Sequence, residues 1–218
     1  MKREIIITSD GSTTIHIPEW DEQYHSKHGA IQEAYHVFIK NGLETIEKNE
    51  ISILEIGFGT GLNCLITFLE SQKNINYVGV EAYPITKKEI ESLNYVSSLN
   101  AENQVTHFNK MHTCSWETKQ QITSNFSLTK QQKKFKDIND INAYDLIYFD
   151  AFGARVQPEL WTEEIFNKMY ISLKNNGTLV TYSAKGSVRR AMQKVGFTVE
   201  RLPGPPGKRE MLRGKKKL

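Results

Sequence analysis

Ile51–Asn63 reads ISILEIGFGTGLN. Its opening run, Ile51–Ile56, is apolar and rich in β-branched side chains, the pattern of a strand buried on both faces of a parallel sheet. Glycines then stand at 57, 59 and 61. They let the backbone turn tightly and let a ligand approach it where side chains would stand in the way. Gly61–Ser71 continues with Leu62, Leu65, Ile66 and Leu69 at helical spacing. The stretch predicts strand, glycine turn and helix, with the free N–H groups of the helix start facing whatever the turn holds.

Outward from this unit the same alternation repeats. Asn76–Glu81 (NYVGVE) predicts a second strand, Pro84–Leu99 a helix with its proline in the first turn, and Gln104–Phe108 a third strand. Tyr144–Asp150 (YDLIYFD) is a strong strand, followed by a helix over Pro158–Leu173 with Trp161, Ile165, Phe166, Met169 and Leu173 on one face. Asn175-Asn176-Gly177 reads as a turn, Thr178–Ser183 as a strand and Gly186–Val195 as a helix. Phe197–Leu202 and Arg209–Arg213, joined through PGPPGK, close the chain as a pair of strands. So short a connection permits only antiparallel pairing. The expected fold is α/β: a mostly parallel sheet with one antiparallel edge strand and helices on both faces. Residues 1–218 read as one domain, with a less regular N-terminal segment over 1–45, a helix predicted over His28–Gly42, and a polar insertion over 118–142.

The glycine spacing discriminates between ligands. A dinucleotide fingerprint places its third glycine where this chain has Leu62. G-x-G-x-G preceded by the acid Glu55 instead resembles motif I of the class I S-adenosylmethionine-dependent methyltransferases, a Rossmann-like fold. Glu81, at the tip of the second strand, can accept hydrogen bonds from both hydroxyls of a ribose. No Lys-Ser/Thr pair follows the turn to grip phosphates, which argues against a nucleotide triphosphatase.

Asp150 ends the YDLIYFD strand, and strand tips line the ligand crevice of an open parallel sheet. It is the expected catalytic residue: a carboxylate there faces a sulfonium donor and can hold the attacking nucleophile. Cys64 lies inside the helix after the glycine turn and Cys114 in a region without other signals, so a covalent cysteine route is disfavoured. An amine nitrogen needs no covalent adduct, only a free lone pair and alignment.

The chain has 218 residues, 39% hydrophobic and 24% charged, a globular composition. It contains no apolar run long enough to span a bilayer, and Ile5–Ile7 is too short for the core of a signal peptide, so the expected location is the cytoplasm. Two cysteines make neither a disulfide framework nor a zinc spacing, and no metal is expected. The net charge is +3, with the basic residues gathered at the end, Lys208–Leu218 being KREMLRGKKKL. Such an end suits a polyanion.

FGTGLN, DAFGARVQPELWT, AKGSVRRAMQKVGF and KREML, together with the opening DGSTTIHIPEWDEQYHSKHGAIQEAYHVFI, resemble the methyltransferase half of the tRNA-modification enzyme MnmC, which also occurs as a stand-alone form called MnmD. The resemblance spans nearly the whole chain and is weakest over Thr118–Asn142. It implies S-adenosyl-L-methionine as cofactor, contacted by Glu55, Gly57, Phe58, Gly59, Gly61, Asn63, Glu81 and Asp150. It also implies methyl transfer to the side-chain amine of 5-aminomethyl-2-thiouridine at the wobble position of tRNA, in the anticodon loop. The product is 5-methylaminomethyl-2-thiouridine. Phe152, Lys185, Arg189, Arg190, Lys208 and Arg209 are the expected tRNA contacts, with Tyr182 a further base-stacking candidate and Trp161 read as core. Tyr24, His25 and His28 lie in the family-like opening segment. No second glycine-rich nucleotide motif is present, so no FAD and no flavin oxidase activity are expected. The rival readings are a methyltransferase of the same fold acting on another amine, small molecule or protein, a binding module that has lost catalysis, and a nicotinamide oxidoreductase, disfavoured by Leu62.

Overall fold

A computed structural model describes residues 2–217. The chain opens with a small antiparallel sheet of β1 (Glu4–Ile7), β2 (Thr13–Ile17) and β3 (Glu22–Gln23). Helix α1 (Ala30–Ala34) follows and runs on through a π-helical turn over Tyr35–Lys40, so the expected helix over 28–42 is present with a local change of pitch. Then come β4 (Glu50–Ile56), α2 (Leu62–Glu70), β5 (Asn74–Val80), α3 (Lys87–Glu91), α4 (Tyr95–Ser98) and α5 (Val105–Thr113). The remaining elements are β6 (Gln120–Thr123), β7 (Phe126–Gln131), β8 (Tyr144–Phe149), α6 (Glu163–Ser172), β9 (Leu173–Thr181), α7 (Gly186–Lys194), β10 (Thr198–Pro203) and β11 (Glu210–Lys215).

Eight strands form the main sheet in the order β10-β11-β9-β8-β4-β5-β7-β6. The five central strands, β9, β8, β4, β5 and β7, are mutually parallel, so their C-terminal ends share one edge. One reversed strand lies at the β6 edge. The closing pair is antiparallel, as its short connection requires, but β11 inserts between β9 and β10, so the reversed strand of that pair is internal. Two apolar layers cover the sheet. One face carries Phe38, Leu65, Tyr77, Phe108, Phe126 and Tyr148; the other carries Phe149, Trp161, Phe166, Met169, Met192 and Phe197.

Four further expectations are corrected. Gln104–Phe108 is not a strand: the segment enters α5, whose buried residues Phe108 and Met111 are three apart, a helical spacing, while Val105 is exposed. The third parallel position is taken by β7, inside the stretch 118–142 read as a polar insertion. Its polarity is deceptive. Lys130 is buried on the inward face with Phe126 and Leu128, its ammonium donating 2.5 Å to the His112 carbonyl and standing 4.8 Å over the Trp116 ring. The helix expected over Pro84–Leu99 divides into α3 and α4, with Thr86 and Glu89 forming a capping box at the start of α3. The Asn175–Gly177 turn is an irregularity within β9, where Asn176 takes a left-handed conformation (φ 64°).

Candidate active site at the strand tips

The glycine turn is built as its composition requires. Gly57, Gly59 and Gly61 all have positive φ, at 89°, 49° and 73°. The amides of Gly57 and Phe58 both donate 3.0 Å to the Val80 carbonyl, tying the turn to the tip of β5. A Cβ on Gly57 would stand 2.7 Å from the Asp150 carbonyl oxygen, so this glycine is what allows the β4 and β8 tips to close up. Phe58 turns inward instead of toward a ligand: it is buried, and its ring fills the space over Gly79.

Asn63, in the first turn of α2, joins two acids. Its Nδ2 donates 2.9 Å to Glu55 and 2.9 Å to Asp150 Oδ2. Glu55 also accepts 2.9 Å from the Tyr77 hydroxyl and is buried at the end of β4. Burial, reinforced by the Asp150 charge, pushes its carboxyl well above the usual carboxylate range. Glu55 therefore lies beneath the site and acts on it through Asn63. The Asp150 carboxyl itself is pushed up to about 7, chiefly by burial and then by the neighbouring Glu33 charge, with Asn63 and Lys208 pulling the other way.

On the other side of the turn, Glu81 follows β5 directly. Its two oxygens accept 3.0 Å from the Gly59 amide and 2.9 Å from the Tyr83 amide, which hold the carboxylate at the crevice. The N-terminal sheet packs over this edge. The Tyr24 ring stands 3.1 Å from where a Gly59 Cβ would be, and His25 lies between the Thr14 and Thr60 hydroxyls at 3.3 and 3.5 Å. Burial drives His25 and His112 down to about 4, so both are neutral at pH 7.

The expected tRNA contacts divide. Lys185, Arg190 and Arg209 are exposed. Arg189 is half-buried, and its Nε has no hydrogen-bond partner among the described residues. Phe152 is packed edge-on against Trp20 at 5.6 Å and Tyr24 at 4.9 Å, and its carbonyl accepts 2.7 Å from Trp161 Nε1. Lys208 is not a free surface cation: its ammonium pairs with Glu33 and sits 3.9 Å over the Tyr182 ring. Tyr182 in turn donates 2.8 Å to the carbonyl of Ala151, next to Asp150.

Two features were missed. Glu33 lies on the buried face of α1 with Ala30 and Ala34, and an acid within an apolar helical stripe was a legible signal. Lys133, Lys134 and Lys136 line a cavity of about 520 Å³ with Tyr83 and Gln132, beyond the β5 and β7 tips. Among the described residues, no cluster of His, Cys, Asp and Glu has the form of a metal site, and no helix is long and apolar enough to cross a membrane.

Whether these residues suit a methyl-donor nucleoside can be judged from the unpaired atoms. Asn63 Oδ1 and Gln131 Oε1 are buried acceptors without partners among the described residues. Gln131 ends β7, and its carbonyl accepts 3.0 Å from the Glu81 amide. Glu81 and Asp150 thus offer acceptors at the strand tips, with the unpaired Gln131 and Asn63 oxygens buried near them. That set fits a molecule bringing donors: ribose hydroxyls, an exocyclic amine and an α-ammonium group.

A family model described as S-adenosyl-L-methionine-dependent methyltransferase matches residues 96–217. The chain is 30% identical to the tRNA 5-methylaminomethyl-2-thiouridine biosynthesis bifunctional protein MnmC of Marinomonas sp., over 91% of this chain and 32% of the relative. It is 28% identical to the MnmC protein of Cupriavidus metallidurans, over 95% of this chain and 33% of the relative. The chain thus spans about a third of the length of these curated relatives. Among solved structures it resembles MnmC2 from Aquifex aeolicus, with a TM-score of 0.78, 23% identity, and coverage of 99% of this chain and 70% of that one. A spermidine synthase in complex with a transition-state analogue matches at a TM-score of 0.58 and 15% identity, over 99% of this chain and 75% of that one. These two structural likenesses bear on the fold, which is the α/β, mostly parallel architecture expected.

Proposed function

We propose a substrate for this chain, which belongs to the S-adenosyl-L-methionine-dependent methyltransferase family: the 5-aminomethyl group of wobble 5-aminomethyl-2-thiouridine in the anticodon loop of tRNA, converted to 5-methylaminomethyl-2-thiouridine. The relatives that match nearly the whole chain are named for making this product. The observation that carries the reading is the Asp150 carboxyl, half-buried at the β8 tip beside the glycine turn and held by Asn63.

When bound, S-adenosyl-L-methionine would supply an electrophilic methyl carbon with a neutral thioether as its leaving group. The chain's own residues prepare the nucleophile. A primary alkylammonium has no lone pair, so one proton must leave before attack. Asp150, with a pKa of about 7, is matched to accept that proton near neutrality. Asn63 fixes the carboxyl's direction, and the acid then holds the amine in line with the donor. Alignment is the larger contribution, because the donor's positive charge disperses in the transition state and strong anionic stabilisation of it would oppose reaction. Glu81 would hold the ribose, and Gly57, Gly59 and Gly61 would let the backbone approach the cofactor. Lys185, Arg189, Arg190 and Arg209, beyond the β9 tip and in the β10–β11 connection, meet phosphates. The chain acts as a methyltransferase.

The test is incubation with methyl-labelled S-adenosyl-L-methionine and tRNA lacking the modification, followed by digestion and identification of the labelled nucleoside. Label in 5-methylaminomethyl-2-thiouridine supports the reading. Label only in a protein or small amine, or no transfer, overturns it.

A further inference from the structure

The Glu33–Lys208 pair lies apart from the glycine turn, yet it reaches the Asp150 neighbourhood through Tyr182. Glu33 comes from α1 and Lys208 from the β10–β11 connection, 175 residues apart in sequence. Glu33 is 8% exposed and accepts 3.1 Å from the Ser26 amide with its second oxygen. Lys208 stands over the face of Tyr182, whose hydroxyl is anchored on the residue after Asp150. Both charges bear on Asp150, Glu33 raising and Lys208 lowering its proton affinity. From the other sides Asp150 faces Asn63, with Glu55 beneath, and Tyr182, with Glu22 behind.

A buried ion pair is weak evidence of stabilisation, because desolvation offsets the attraction. Its place here is better explained by what its field does. A fixed ammonium beside an amine disfavours the protonated amine, and a carboxylate favours it. We propose that Glu33 and Lys208 are positioning residues for the methyl-accepting amine: Lys208, held over Tyr182 by Glu33, repels a proton on that amine and Glu33 attracts one, so the pair decides how much amine is presented unprotonated beside Asp150. The proton leaves the nitrogen for Asp150 before the N–C bond forms. This rests on the amine-methylation reading, but the field at Asp150 exists whatever the acceptor.

That independence supplies the test. The two halves of a purely structural latch are equivalent, since removing either breaks the same contact. Two halves of a charge device differ in sign. The Asp150 carboxyl carbon is followed by NMR against pH in the full-length chain, with Asp150→Asn to assign the signal. Lys208→Met should raise the Asp150 midpoint by about one pH unit and Glu33→Gln should lower it by about as much, while Lys208→Arg stays near wild type. The pH dependence of kcat/KM on tRNA should move in the same directions. Shifts of the same sign in Lys208→Met and Glu33→Gln, or no shift, overturn the proposal. Lys208 sits on a half-exposed connection, so its variant decides even if Glu33→Gln does not fold. Opposite shifts without methylation of tRNA sink the substrate reading and leave the charge pair standing; methylation with an unmoved Asp150 does the reverse.

Discussion

Asn63 donates a 2.9 Å hydrogen bond to Asp150 across 87 residues of sequence, and this single contact couples the helix after the glycine turn to the acid at the β8 tip. The same amide nitrogen holds Glu55, so the orientation of Asp150 depends on an acid that never reaches the crevice. Asn63→Leu, close in size, removes both bonds and leaves buried Glu55 and half-buried Asp150 without their shared donor. It should raise the pH midpoint of the reaction and lower kcat more than donor affinity, which a pH series of kcat and KM measures.

Asp150→Asn keeps the shape and the hydrogen bonding but cannot accept a proton. Turnover should fall by roughly 10²–10⁴-fold, read as single-turnover transfer at saturating cofactor. Near-normal turnover would remove Asp150 from the role of base.

The raised acidity constant of Asp150 also carries a stability signature. Its folded-state pKa, about 7, lies above the ordinary carboxylate value of 3.8, so the native state binds the proton more tightly than the unfolded chain. The stability it contributes is complete below pH 4 and is lost as pH rises through about 7. Asp150→Asn should therefore melt above wild type at pH 8, with the advantage shrinking toward pH 4. Melting curves across that range check the sign; a constant difference contradicts it.

Gly57→Ala puts a methyl group 2.7 Å from the Asp150 carbonyl oxygen, at a φ of 89° that side chains rarely adopt. The expected destabilisation is about 1–3 kcal/mol, accompanied by weaker cofactor binding, because the strand tips must part. Denaturant unfolding and calorimetric titration of the cofactor measure the two effects.

Glu81→Gln retains size and one acceptor but loses the charge held by the Gly59 and Tyr83 amides. Cofactor affinity should drop by about 10–100-fold, the range for a charge-assisted hydrogen bond, with kcat at saturation nearly unchanged. An equal loss in kcat would place Glu81 in the chemistry instead of in binding.

Much of this was written in local order. The run Ile51–Ile56, the three glycines and the apolar spacing of α2 specify strand, turn and helix through period and backbone freedom, and these are properties of neighbouring residues. The acids at 55, 81 and 150 follow from strand ends for the same reason. The third parallel strand was not legible, since β7 carries Lys130 at an inward position and the His112 carbonyl and the Trp116 ring, brought by α5 and the loop after it, help make that burial tolerable. Likewise Lys208 reads as one more basic residue near a basic end. Whether an ammonium meets water, phosphate or Glu33 depends on which segments the fold brings over it, and charge and desolvation act through space without regard to sequence distance.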